Sequence, residues 1–161
     1  MYVNFNELPD TSRVWVYQSN REFTAVELEK ITEKLKSFVN SWKRHGEDLK
    51  ASFRIAYNQF IILAVDESYS NVSGCSIDTS VSSIKQLEVE FGVDLLNKMN
   101  VSFKDGDNVN TVSLKDFKEY AKQQKIHANT VVFNNMVNSK AELENAWETE
   151  ASNSWHAKFL V

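Results

Sequence analysis

Residues 59–66 read Gln59-Phe60-Ile61-Ile62-Leu63-Ala64-Val65-Asp66, six apolar residues in a row between two polar ones. An uninterrupted apolar run of this length is typical of a strand that is covered on both faces. Just before it, Ala51-Ser52-Phe53-Arg54-Ile55-Ala56-Tyr57 alternates apolar and polar side chains, which is typical of an edge strand. Only Asn58 separates the two runs, so they are predicted to form a hairpin whose second strand is central in a sheet.

Strand and helix signals alternate on either side of this hairpin. Arg13-Val14-Trp15-Val16-Tyr17-Gln18 is rich in β-branched and aromatic residues and predicts a first strand. Thr24-Ala25-Val26-Glu27 matches a capping box, which opens a helix that we expect to run to about Arg44, with Gly46 as its stop. A second helix is predicted from Asp78 or Thr79 to about Gly92.

The rest of the chain adds one hairpin and a helical tail. Val101-Ser102-Phe103 and Thr111-Val112-Ser113-Leu114 are joined by the turn-forming residues 105–108, and helices are predicted at 115–125 and after Ser139. The order β-α-β-β-α-β is that of the ferredoxin-like split βαβ sandwich. We therefore expect a single α+β domain over residues 1–161, a ferredoxin-like sandwich extended by one extra strand and C-terminal helices. In that topology the loop after the first helix and the loop before the second emerge at the same end of the sheet.

Composition narrows the function classes. The formal charge is −4, with 18 Lys and Arg against 22 Asp and Glu, so the basic surface of a general nucleic-acid binder is not expected. No apolar run approaches the roughly 18 residues of a membrane span, and the N-terminus lacks a signal-peptide pattern. The single cysteine fits a reducing compartment. These features predict a cytoplasmic protein.

The segment Ser73-Gly74-Cys75-Ser76-Ile77-Asp78-Thr79-Ser80 is the strongest candidate site. Cys75 would precede the second helix, where free backbone amides favour a thiolate, and His45 would lie at the same end of the sheet, so the two could act as nucleophile and base. The amides around Gly74 could also cradle a small anion. The predicted ligand-binding set is His45, Ser73, Gly74, Cys75, Ser76 and Asp78. The alternative is that Cys75 is a small buried residue and that the hydroxyls and Asp78 cap the helix.

Other polar residues give weaker signals. Asp66 and Glu67 at the end of an apolar strand are weak candidates for a hard-cation site together with Asp78 and His45, and solvated loop carboxylates are the alternative. His127 and His156 have no partner at ligand spacing and are interpreted as surface or packing residues. Asn134, Asn135 and Asn138 are interpreted as turn and cap residues before Ser139. No cofactor is predicted.

The segments Arg13–Gln18, Trp42–Gly46, Leu63–Glu67 and Ser73–Asp78 carry a resemblance to a family of small Bacteroidetes proteins that are labelled "ABC transporter ATPase". The resemblance implies a bacterial, cytoplasmic origin, and the label implies ATP hydrolysis. However, the chain contains no G-x-x-x-x-G-K-[ST] loop and no L-S-G-G signature. No ATPase activity is therefore carried over.

The leading hypothesis is a non-catalytic domain that binds a small anionic ligand or a protein partner at the end of the sheet formed by His45, Gly46 and the Ser73–Asp78 loop. The enzyme alternative is a hydrolase or transferase that depends on Cys75, with His45 as its base. A third hypothesis is a homodimer formed through an uncovered sheet face, because such sandwiches often leave one face free.

Overall fold

A computed structural model covers residues 1–161 and shows a mixed α+β protein with three antiparallel sheets. The strands are β1 (Arg13–Gln18), β2 (Lys43–Arg44), β3 (Glu47–Asp48), β4 (Ala51–Ala56), β5 (Phe60–Val65), β6 (Asn100–Asp105), β7 (Asn108–Ser113), β8 (Val131–Phe133) and β9 (Glu148–Glu150). The α-helices are α1 (Ala25–Ser41), α2 (Gly74–Phe91), α3 (Leu114–Lys122) and α4 (Lys140–Ala146). Short 3-10 helices span Phe5–Glu7, Ala151–Asn153 and Trp155–Phe159. No helix is long and apolar enough to cross a membrane.

The first sheet has the order β1-β5-β4, with β5 antiparallel to both neighbours. All six residues of β5 are buried, which confirms the central strand predicted from its apolar run. β4 lies at the edge, as its alternating pattern predicted.

Both faces of the first sheet are covered. Successive side chains of β5 point to opposite faces, and Ile61, Leu63 and Val65 pack in one cluster with the apolar sides of α1 and α2. Phe60, Ile62 and Ala64 pack in a second cluster with side chains from the N-terminus, β8 and α4. The first sheet therefore has no uncovered face, because the tail of the chain folds over it. A homodimer stays a prediction.

The ferredoxin-like arrangement is not confirmed. The first three strands and two helices follow the predicted order, but β6, the expected fourth strand, pairs with β7 and β8 instead of β1. The outer edge of β1 is occupied by another segment, since the N–H of Val14 donates to the carbonyl of Asn138 at 3.1 Å and Arg13 bridges Ser139. With that edge taken, β6 builds a separate sheet of order β7-β6-β8-β9.

The start of α1 forms as predicted. Thr24 Oγ1 accepts a hydrogen bond from the Glu27 N–H, and Glu27 Oε1 accepts one from the Thr24 N–H, which completes the capping box. The helix ends at Ser41, before the predicted Arg44, because the chain turns into the β2–β3 hairpin. That hairpin lies beside the start of α2.

The second sheet has its own core. Val101, Phe117 and Val132 are buried between this sheet and α3, and the C-terminal Trp155 and Phe159 pack against the same cluster. The strands β8 and β9 have no counterpart among the predicted elements. The two sheets meet along a cleft between the end of β1 and the start of β6.

Candidate functional site

The predicted site loop is the N-terminus of α2. The helix begins at Gly74, four residues before Asp78, and Ser73 is its N-cap, with Oγ accepting from the Ser76 N–H at 3.1 Å. Cys75 and Ser76 therefore lie in the first helical turn and not in a loop ahead of it. Capping accounts for the role of Ser73.

Ser76 joins α2 to the connection between α1 and β4. Its buried Oγ donates to the carbonyl of Lys43 at 2.8 Å, and Nε1 of the buried Trp42 donates to the Ser76 carbonyl at 2.9 Å. The two connections do meet at one end of the sheet, as the topology predicted. All of these polar atoms are paired within the protein, so they hold the helix in place.

His45 and Gly46 form the turn of the β2–β3 hairpin, between the paired residues Arg44 and Glu47. Both residues have a positive φ angle, 48° for His45 and 83° for Gly46. A residue with a side chain would be strained at position 46, because such angles favour glycine. Gly46 was expected to stop α1, but it serves this turn. His45 is exposed.

Cys75 is exposed, contrary to the interpretation of it as a buried residue. Its carbonyl accepts a hydrogen bond from Thr79 Oγ1 at 2.8 Å, but no hydrogen bond involves its sulfur, and none joins it to His45. Gly74 and Asp78 are exposed as well. Nucleophilic chemistry at Cys75 stays a prediction.

The carboxylates after β5 bind their own loop. Asp66 is 5% exposed and its Oδ1 accepts from the Ser68 N–H at 3.0 Å and from Ser68 Oγ. Glu67 Oε2 accepts from the Val72 N–H at 3.3 Å. No group of three His, Cys, Asp or Glu side chains is placed to hold a metal ion. The two carboxylates therefore shape the β5–α2 loop.

A cavity of about 450 Å³, the inter-sheet cleft, lies where the end of β1 faces the start of β6. The segment between α2 and β6 forms one wall, and the β8–α4 loop and the C-terminal 3-10 helix form the other. The apolar lining consists of Val16, Tyr17, Leu95, Leu96, Met136 and Trp155.

The polar floor of this cleft is a chain of side-chain amides that links the two sheets. Trp147 Nε1 donates to Asn135 Oδ1 at 2.8 Å, and Asn135 Nδ2 donates to Gln18 Oε1 at 3.0 Å. Gln18 Nε2 then donates to the carbonyl of Asn100 at 3.0 Å. Each of these amides has both ends engaged, so the floor is fixed by the fold.

Two polar groups of the cleft are not engaged in this way. Nδ2 of Asn100 is buried, has no hydrogen-bond partner and has almost no accessible surface, so it does not face the open cleft. Lys98 is exposed at the rim and takes part in no ion pair. Burial raises the pKa of Tyr17, so its phenol stays protonated at neutral pH. Lys98 is therefore the only charged residue of the lining.

Comparisons with known proteins give no information about function. No protein-family model matches the chain, and no significant match is found among curated proteins or solved structures.

Trp155 is held in the cleft wall by the residue next to it. Its ring stacks on His156 with 3.7 Å between centroids and 23° between planes. His156 is fully buried, its Nδ1 shares a hydrogen bond with Ser154 Oγ at 2.5 Å, and its Nε2 has no partner. Burial lowers the pKa of His156 to about 4. The imidazole of His156, which supports Trp155 in the cleft wall, is therefore neutral at neutral pH.

A larger groove of about 790 Å³ crosses the second sheet between Phe103 and Tyr120. It is shallow and mostly polar, and none of its side chains has a buried polar atom without a partner. The inter-sheet cleft is smaller but has mostly apolar walls and a floor of side-chain amides, which is the usual make-up of a small-molecule site.

The residues of the cleft were not among the predicted site residues. Asn135 was noted only as a turn residue, and Gln18, Lys98 and Asn100 gave no signal of a site. The one available hint is Gln18, a polar residue that ends the strand directly after the run Val14-Trp15-Val16-Tyr17.

Proposed function

We propose that this protein is a non-catalytic binding domain that takes a small, largely apolar ligand in the inter-sheet cleft. The observation that carries the proposal is the amide chain from Trp147 to Asn100. It closes the floor of a cavity whose walls are mostly apolar and holds the two sheets in place around that cavity.

The size and rigidity of the cleft support a ligand. Its volume of about 450 Å³ falls within the range of small-molecule sites. The wall at Leu95 and Leu96 is fixed because Glu88 Oε2 accepts both backbone N–H groups, at 2.7 and 3.1 Å. A preformed site loses little conformational entropy on binding.

The chemistry of the lining supports binding without catalysis. The cleft contains no carboxylate, imidazole or thiol side chain. Burial raises the pKa of Tyr17, so its phenol is protonated at neutral pH and is not ready to accept a proton from a substrate. The absence of a phosphate-binding loop likewise argues against the ATPase label.

Thermal unfolding with 2-naphthamide, a flat neutral probe with one amide group, tests the proposal. At tenfold excess over its Kd, a ligand of the native state should add about 1.4 kcal/mol of stability and raise Tm. Leu96→Trp, which narrows the cleft, should abolish the shift. Val89→Trp on the exposed side of α2 should retain it, since Val89 is 86% exposed. A shift that survives Leu96→Trp would place binding elsewhere and contradict the proposal.

A further inference from the structure

The outer edge of β7 is an open sheet edge. β7 is the last strand in the order β7-β6-β8-β9, and β6 is the only strand that pairs with it. The geometry points to a homodimer in which β7 (Asn108–Ser113) pairs in antiparallel fashion with β7 of a second copy of the chain. The interface is a strand edge, and it is independent of the ligand proposed for the inter-sheet cleft.

The free backbone groups of β7 follow from its register with β6. A two-residue turn separates the paired residues Asp105 and Asn108, and the pair that flanks such a turn is hydrogen-bonded. Hydrogen-bonded pairs alternate along the strand with pairs whose backbone groups point outward, so Val109 and Thr111 face away from β6. No other segment bonds to the N–H or carbonyl groups of these two residues. They are therefore available to a further strand.

The other sheet edges carry features that prevent such pairing. Asn138 and Ser139 occupy the edge of β1. The N-terminal segment bonds to β4 at Ala51, and β4 also carries the charged Arg54. β9 has three residues, two of which are glutamates. β7, in contrast, has six residues without a charge, a proline or a bulge, so it is the edge that is open to a partner strand.

A second copy of β7 matches the free groups. Two-fold antiparallel pairing centred on Asn110 places Val109 of each copy opposite Thr111 of the other. Facing residues of a hydrogen-bonded antiparallel pair exchange both of their N–H to carbonyl bonds, so every free group of both residues finds a partner. Both residues are β-branched, which suits strand pairing. The symmetry closes the assembly at two copies.

The ends of the paired strands bring complementary charges together. Asp107, in the turn before β7, falls opposite Ser113 of the second copy, which is the N-cap of α3. The positive end of a helix dipole favours a carboxylate there. The exposed Lys115 follows in the first turn of α3, where its charge balances that of Asp116, and neither Lys115 nor Asp107 has an ion-pair partner within the chain. Within β7 no like charges face each other.

Light scattering coupled to size-exclusion chromatography tests the homodimer. At high concentration the wild-type protein should have twice the 18.5 kDa mass of the chain. Asn110 faces its own copy across the two-fold axis, so Asn110→Lys should place like charges opposite each other and halve the mass. Asn110→Asp should have the same effect. An equimolar mixture of the two variants should restore the dimer, because the facing charges are then opposite.

A matched control keeps the change of charge away from β7. Gln86 is exposed on α2, and Gln86→Lys should leave the dimer mass unchanged. A disulfide tests the register, because residues that face each other in a pair without hydrogen bonds have Cα atoms about 4.5 Å apart, within reach of a disulfide. In a Cys75→Ser background, Asn110→Cys should form a covalent dimer on oxidation by diamide, and Gln86→Cys should not.

The outcomes are separate from those of the ligand experiment. A wild-type mass of 18.5 kDa at every concentration overturns the homodimer. A dimer that both Asn110→Lys and Asn110→Asp leave intact uses another surface and overturns the role of β7. A mixture of the two variants that stays monomeric overturns the pairing centred on Asn110. The thermal shift with 2-naphthamide tests the proposed function independently of all three results.

Discussion

Protonation of His156 should make the protein unfold more easily as the pH falls from 8 to 5. The imidazole is fully buried, stacks on Trp155 and has one nitrogen without a partner, so it is neutral in the folded protein. Burial depresses its pKa from the ordinary value of 6.5 to about 4. As the pH falls, the unfolded chain therefore binds a proton at His156 before the folded protein does. The free energy of unfolding decreases, relative to its value above pH 6.5, as the pH falls through the range between the two pKa values.

The expected loss follows from the two pKa values. One pKa unit corresponds to about 1.4 kcal/mol. With a pKa of 6.5 in the unfolded chain and about 4 in the folded protein, the free energy of unfolding decreases by about 2 kcal/mol between pH 8 and pH 5. The loss reaches about 3 kcal/mol at pH 4. Carboxylates also titrate in this range, so the comparison must be made against a variant that lacks only this imidazole.

Urea unfolding at pH 8, 6.5 and 5 provides the measurement. His156→Gln should lose the contribution of this residue to the pH dependence, so that its free energy of unfolding falls about 2 kcal/mol less than that of the wild type. His127→Gln, at an exposed position, should parallel the wild type. An NMR titration of the native protein should place the pKa of His156 near 4. Parallel pH profiles for wild type and His156→Gln would refute the reasoning.

Three further variants test other parts of the account. Asn135→Ala should lower the free energy of unfolding by about 2–4 kcal/mol in urea titrations, because Trp147 Nε1 and Gln18 Oε1 both lose their partner. A loss below about 1 kcal/mol would mean that the amide chain does not fix the floor of the cleft. Trp42→Phe should cost about 1–3 kcal/mol by the same assay, since the Ser76 carbonyl loses its buried donor. Cys75 should react with iodoacetamide in the native protein, because it is exposed. The rate should be the same in His45→Ala, because no hydrogen bond joins the two side chains. A large decrease of the rate in His45→Ala would support the enzyme hypothesis instead.

The elements that local sequence determines were predicted well. Thr24 and Glu27 carry a complete capping signal within four residues, and the apolar run of β5 needs no distant partner to identify it as central. The failures are of two kinds. α2 begins four residues before Asp78, the predicted start, because Ser73 caps it instead. β6 leaves the expected sheet because Asn138 and Ser139, far away in sequence, take the edge of β1.

The site was harder to predict for the same reason. The polar loop from Ser73 to Asp78 stands out in the sequence, yet the structure uses Ser73 for capping and Ser76 for packing. The inter-sheet cleft depends on the contact between Gln18 and Asn135, which lie 117 residues apart. Neither amide has a local pattern that marks it, because its role arises only when the two sheets come together.

The most direct test of ligand binding in the inter-sheet cleft is a set of intermolecular NOEs between 2-naphthamide and the full-length protein. The account predicts contacts from the naphthalene protons to the Met136 methyl group and to the indole ring of Trp155. Contacts to Phe103 and Tyr120 in the groove of the second sheet instead, or no contacts at a saturating concentration, would contradict it.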